Sequence, residues 1–316
     1  MRVIASYGRE ELATAYIAKM KHGKLVEFVE STQPPIPREE KWVLIVSTMY
    51  GCPVRCLMCD AGGAYKGALS ADEILAQVDY MVTKRFPDRS VPIPKFKVQF
   101  ARMGEPALNG DVLSVLRVLP TRYRAPGLMP CISTIAPDGT DDFFRSLARI
   151  KTSLYSRGLF QLQFSIHTTD ETLRERLIPI KKWTLRKIAA YADDFVQEED
   201  RKVTLNFAPV TGMPIDAELI RRYFSPERFL IKMTPVNPTY SAHAHGLNSY
   251  IDPYHGDRTY DVVEQLRSLG YEVLVSIGEL EENLIGTNCG QYVLKYLQTG
   301  QAIDHGYRSH EYRRDD

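Results

Sequence analysis

Residues 48–63 read TMYGCPVRCLMCDAGG and place three of the chain's five cysteines, Cys52, Cys56 and Cys59, in a CxxxCxxC spacing. Three thiolates on one short loop can hold three corners of a [4Fe–4S] cluster. That cluster ordinarily takes four cysteines, so its fourth iron keeps an open position to which a cofactor can bind. A zinc site would want four protein ligands, commonly with a second CxxC or a His pair downstream, whereas Cys131 and Cys289 stand alone. A disulfide staple fits less well still, because the cysteine count is odd and no signal-like run precedes it.

The 316 residues are enough for one large α/β domain or two modest ones, and 44% hydrophobic with 25% charged residues is ordinary for a globular protein. The first residues, MRVIASYGREELATAY, contain no apolar run of signal length. No stretch approaches the ~20 apolar residues of a membrane span, so the expected setting is the cytoplasm, with no membrane partner. Net charge is +1, from 40 basic and 39 acidic residues, so no global field draws the chain onto a polyanion. Basic pairs such as Lys84–Arg85, Lys181–Lys182 and Arg221–Arg222 are scattered and read as a mixed solvated surface.

Upstream of the cysteines, TAYIAKM and LVEFVE flank KHGK as a β-hairpin, and the three prolines of residues 32–41, TQPPIPREEK, break any helix or central strand. Residues 1–40 therefore read as a hairpin module with a Pro-rich linker, and residues 41–316 as the core. WVLIVST (42–48) is a buried strand leading into the cysteine loop, and Ser70 with Glu73 forms a capping box for ADEILAQVDYMVTKRF. Downstream, strand patterns KFKVQF, PCISTIAP, LFQLQFSIH, KVTLNFAPV, RFLIKMTPV and YEVLVSIG alternate with helical ones. Six or seven strands each followed by a helix predict an α/β fold, a partial (β/α)6 TIM-like barrel behind the hairpin extension. In such folds chemistry sits at the carboxyl ends of the strands. On 159–167, Gln161, Gln163, Ser165 and His167 share the face opposite Phe160, Leu162, Phe164 and Ile166, so the polar set should line the lumen.

The cysteine motif, with apolar Met58 before its last cysteine, resembles the radical S-adenosylmethionine (SAM) superfamily. Downstream the chain resembles the RlmN/Cfr branch, which methylates adenosine in RNA. ARMGEPALN (101–109) is similar to that branch's GMGEPLLN and implies that Gly104 and Glu105 bind the SAM amino group. CISTIAP resembles its LSTSGVVP strand and implies a SAM contact at Ser133. FSIHTTDETLRERLIPI resembles SLHAPNDELRDELVPIN and carries over Ser165 and His167. TPVNPTY resembles PFNPF and carries over Asn237. IGTNCGQY resembles IDAACGQL, making Cys289 the match for the cysteine that carries the methyl group. LVEFVES resembles RVETVYIP, so Glu27 falls on a glutamate proposed to assist proton removal. The resemblance implies reductive cleavage of SAM and methyl or methylene transfer through Cys289 to an sp2 carbon, with RNA (rRNA or tRNA) as partner and a flavodoxin or ferredoxin as reductant.

Three positions depart from that pattern. Ile45 stands where the family has a resolving cysteine seven residues before the triad, and Cys131, predicted to face the same way as Ser133, is a candidate substitute. Arg102 replaces a glycine. VSIGELEE (275–282) is acidic where the family is basic, and no counterpart of its helical RNA-recognition domain is expected, which weakens the case for ribosomal RNA. Two alternatives follow: a radical SAM enzyme acting on a peptide or small metabolite without a methyl-cysteine, and a non-catalytic RNA-binding relative. His243 and His245 in SAHAHGLN, with His255 nearby, read as an irregular loop rather than a metal site.

Overall fold

The N-terminal strands form a meander before the prolines intervene. In the computed structural model, which describes residues 1–32, 34–62, 65–255, 258–278, 280–287 and 293, β1 (Arg2–Arg9), β2 (Ala13–Lys19) and β3 (Leu25–Ser31) pair antiparallel. The hairpin β2–β3 is the one its sequence predicts; β1 adds an edge strand that the alternation in RVIASYGR left unannounced. After the prolines, β4 (Lys41–Val46) pairs antiparallel with β3, setting Val29 opposite Ile45. The meander and the core therefore share one sheet.

From β4 onward every neighbour is parallel: β5 (Lys95–Phe100), β6 (Leu128–Thr134), β7 (Gln161–Ser165), β8 (Val203–Phe207), β9 (Phe229–Met233) and β10 (Val273–Val275) follow in chain order. Parallel neighbours need crossovers. These run through α1 (Ala71–Arg85), α2 (Asp111–Arg122), α3 (Asp141–Leu154), α4 (Glu171–Leu177), α5 (Leu185–Phe195), α6 (Ala217–Tyr223), α7 (Tyr240–Ala244) and α8 (Asp261–Ser268). α9 (Leu280–Ile285) follows β10. Ser70 and Glu73 make both bonds of the expected capping box at α1. No pairing joins β10 back to β1 among the described residues, so the ten-stranded sheet is open and not a closed barrel. No helix among those residues is long and apolar enough to cross a membrane.

Period-two alternation divides the two faces. Trp42, Leu44, Phe96, Val98, Leu162, Phe164, Leu205 and Phe207 bury against the helices in one large core. Ile45, Lys97, Cys131, Gln161, Thr204 and Lys232 take the other face. Lys97 Nζ on β5 donates to Gln161 Oε1 on β7 at 2.9 Å, reaching past Cys131 on β6. The charge of Lys97 also acts on Lys232 of β9, although four strand spacings would part them by roughly 19 Å in a flat sheet. This face is concave.

Three local differences from expectation have physical causes. β7 ends at Ser165, short of 167, because His167 takes a left-handed φ of 67° that no strand accommodates. The SAHAHG stretch contains the short helix α7, capped by the Thr239 hydroxyl on the Ala242 amide. The acidic stretch at 275–282 runs into α9.

Candidate active site at the carboxyl ends of the parallel strands

The cysteine loop leaves the end of β4 and is fastened to the turn that follows β5. The Thr48 and Met49 amides both donate to Met103 O, at 2.8 and 3.1 Å, and the Met103 amide returns a 3.1 Å bond to Ser47 Oγ. Buried Asn109 donates to Thr48 O and Leu69 O, closing the loop's two ends. Gly104 lies at φ 105°, and a Cβ there would come within 2.6 Å of Thr48 Oγ1 and 2.7 Å of Met49 Cβ. Only glycine permits this approach.

Cys52 is buried and Cys56 and Cys59 are half-buried, in a shell of Val54, Ala61, Ile135, Leu177 and Ile178. Burial is the leading cause that pushes the Cys52 thiol up to about 11 and Cys56 up to about 12. Such thiols stay protonated alone, and a bound cation reverses that balance. Three soft sulfur donors in an apolar shell suit iron–sulfur ligation. Among the described residues no three His, Cys, Asp or Glu side chains converge on a single-ion position. A cubane takes each thiolate on a different iron, so convergence is not what it requires.

The Glu105 carboxylate is buried and joins this turn to the end of β6: it accepts from the Thr134 hydroxyl, the Ile135 amide and the Ala107 amide. Burial raises its pKa to about 7 despite those three bonds. A carboxylate has about four acceptor positions, so one is left beyond these three bonds. Ser133 accepts from Gln163 Nε2 at 3.3 Å. Ser165 lies opposite Asn206 in register. His167 Nδ1 accepts from the Ala208 amide at 3.1 Å, which leaves the proton on Nε2, and burial followed by the Arg174 charge lowers the His167 pKa to about 4. The ring is neutral at physiological pH.

Asn237 lies half-buried on the β9–α7 connection. Beyond it the chain grips the cysteine loop: Thr239 and Ser241 hydroxyls donate to Met58 O and Leu57 O at 2.9 Å each, and the Asp60 carboxylate accepts from the Tyr240 and Ser241 amides. Ser133 and Ser165 thus lie in the last residues of β6 and β7, and Gly104, Glu105, His167 and Asn237 on the segments that follow β5, β7 and β9, on the side of the cysteine loop. Thr134, Asp60, Thr239 and Ser241 escaped sequence reading, whereas Gln163 was expected on the inward polar face. Asp60 and Thr134 directly follow Cys59 and Ser133, and that adjacency was the available signal.

Glu27 is fully buried and ion-paired with Arg102. Arg102 also donates to the carbonyls of Gly286 and Thr287 at 2.7 and 2.8 Å, and Glu27 Oε2 accepts from the Val293 amide at 3.3 Å. Cys289 lies outside the described residues. Ile45 shares a register row with Gln99, Cys131 and Gln161. Cys131 is buried on the concave face, as expected for a residue two before Ser133, with Sγ 3.8 Å from Gln161 Oε1. His243 and His245 flank the end of α7.

No protein-family model matches the chain. A protein of Desulfitobacterium hafniense (strain DSM 10664 / DCB-2) named "Probable dual-specificity RNA methyltransferase RlmN" is 26% identical over 242 residues, covering 73% of this chain and 65% of that protein. A protein of the same name from Trichodesmium erythraeum is 28% identical over 229 residues, 71% of this chain and 61% of its own length. The chain therefore spans less than two thirds of the length of these curated relatives. A radical SAM methyltransferase from Sphaerobacter thermophilus superposes with a TM-score of 0.69 at 20% identity, over 92% of this chain and 80% of that one. In sequence the chain is similar to proteins named probable dual-specificity RNA methyltransferase RlmN, and in fold it is similar to a radical SAM methyltransferase.

Proposed function

We propose that this chain is a radical SAM enzyme that holds a [4Fe–4S] cluster on Cys52, Cys56 and Cys59, binds SAM and transfers a methyl or methylene group through Cys289 to an sp2 carbon of an adenosine-like unit of RNA. The observation that carries this reading is the fastening of the cysteine loop to the Met103–Glu105 turn and to Thr239–Ser241, at the end of the sheet where Ser133 and Ser165 lie in the last residues of β6 and β7 and His167 follows. The chemistry that the bound cluster supplies is one-electron reduction of the SAM sulfonium.

The chain's own residues bind and orient. Gly104 gives the backbone room to approach, and Glu105 offers its remaining acceptor position to the SAM ammonium. Ser133, Ser165 and Asn237 supply short polar contacts. His167, neutral and carrying its proton on Nε2, acts as a hydrogen-bond donor rather than a cation. The apolar shell around the cysteines keeps water from the site. For Glu27 to take a substrate proton, its ion pair with Arg102 must first open. We read β4 to β10 as a partial barrel, residues 1–40 as the appended hairpin module, the cytoplasm as the compartment and a flavodoxin or ferredoxin as the reductant.

A second reading keeps SAM cleavage but acts on a peptide or small metabolite without a methyl-cysteine; Ile45, which can neither carry a proton nor resolve a thioether, favours it. Anaerobic reconstitution under strong reductant tests both, since absence of 5′-deoxyadenosine removes them together. Mass spectrometry of the protein after incubation with SAM then separates them: a methylated Cys289 supports the first, and an unmodified one leaves the second.

A further inference from the structure

The concave face gathers more positive charge than its surroundings neutralise. Lys41 and Lys95 open β4 and β5 in register with each other, Lys97 follows at 7% exposure, and Lys232 lies on β9. Lys97 donates to Gln161, but among the described residues Lys41, Lys95 and Lys232 make no ion pair or side-chain hydrogen bond. Burial first, then repulsion from Lys97, Lys95 and Lys232, lowers Lys41 to about 8; the same kinds of cause lower Lys95 and Lys232. The one opposing group acting on all three is Cys131, which burial keeps protonated. On β8, next to β9, the Thr204 hydroxyl is 1% exposed and has no hydrogen-bond partner, a loss of about 1–3 kcal/mol for a buried polar group.

Like charges drawn together out of water, beside an unsatisfied hydroxyl, oppose folding; their retention marks a place where a ligand supplies the missing charge. We propose that the concave lysine cluster receives a phosphate group of the substrate, with Lys41, Lys97 and Lys232 as the cations and the Thr204 hydroxyl as an added donor. Lysine ammoniums bind phosphate as point charges. Thr204 pairs in register with Gln163, which bonds Ser133, so the Thr204 end of the phosphate site adjoins the proposed SAM contact at Ser133. The assignment rests on the adenosine-like substrate proposed above and specifies it as a nucleotide. Because Lys97 and Thr204 are recessed, a terminal phosphate monoester reaches them more readily than a duplex backbone.

The test is calorimetric titration of the reconstituted full chain with AMP, adenosine, inorganic phosphate and a single-stranded oligoribonucleotide with and without a 5′-phosphate. AMP should bind at least about tenfold more tightly than adenosine, and inorganic phosphate should compete with it. Lys97→Met and Lys232→Met should each abolish most of that preference, and Thr204→Val, which removes an unpartnered hydroxyl, should weaken it several-fold. Lys232→Met should also raise the melting temperature, which loss of a merely structural lysine would not do. Tighter binding of the 5′-phosphorylated oligonucleotide assigns the site to a terminal phosphate. Equal binding of both oligonucleotides, lost in Lys97→Met, assigns it to an internal phosphodiester. Equal affinity for AMP and adenosine, or a preference that survives in all three variants, overturns the proposal. Phosphate binding without 5′-deoxyadenosine formation leaves the lysine site standing and removes the proposed reaction instead.

Discussion

Arg102 stands where the resembled motif has glycine, and its guanidinium ends on the Glu27 carboxylate and the carbonyls of Gly286 and Thr287. Both side chains are buried, at 3% and 0% exposure, so removing one leaves an uncompensated charge. Glu27→Gln and Arg102→Met should each cost about 3–5 kcal/mol in urea unfolding, and their combination less than the sum. Gly104→Ala meets Thr48 and Met49 at a φ that side chains avoid; it should lose most of the visible absorbance of the reconstituted cluster. His167 sets a pH dependence. Its pKa falls from 6.5 unfolded to about 4 folded, so between those values the unfolded chain takes up a proton that the native ring refuses. The stability this ring contributes is complete above pH 6.5 and is lost as pH falls toward 4. The urea midpoint of the unmodified protein should drop from pH 7.5 to 5 by more than that of His167→Gln. Glu105, raised from 4.5 to about 7, acts in the opposite sense: its contribution is complete below 4.5 and is lost as pH rises through 7. Comparison with the His167 variant isolates the histidine.

Among the elements, α7 and β3 are each tied to a neighbouring segment through one carboxylate. Asp60 accepts from two amides at the start of α7 and so ties that short helix to the cysteine loop. Asp60→Ala should cost about 1–3 kcal/mol and lower iron retention on dilution, read by iron analysis after gel filtration. Glu30, at 1% exposure on β3, accepts from Arg85 Nε at 2.9 Å, from Trp42 Nε1 at 3.3 Å and from the Tyr16 hydroxyl. It joins the meander to α1. Hairpin, capping box and the alternating strands were all legible, because caps and period-two patterns are local. The partners of Glu27 and Asp60 were not, since each is met by residues far away in the chain.

At the scale of the whole molecule, the sheet runs unbroken from β1 to β10 and is open at both edges among the described residues. Edge strands lack one neighbour, so β1 and the three-residue β10 should exchange their amides well before β5, β6 and β7, which hydrogen-exchange mass spectrometry measures. A reversed order would show that the described edges are covered in solution. The cysteine spacing, the GEP turn and the succession of strands and helices are properties of short segments, and the chain by itself determined them. Tertiary structure decided which groups meet. Curling of the parallel strands set Lys97 within range of Lys232, packing of the C-terminal segment placed Gly286 and Thr287 on Arg102, and the depth of burial made His167 neutral and Glu105 hard to ionise. Periodicity is a local property of the backbone, whereas desolvation and charge pairing depend on every group that folding brings near.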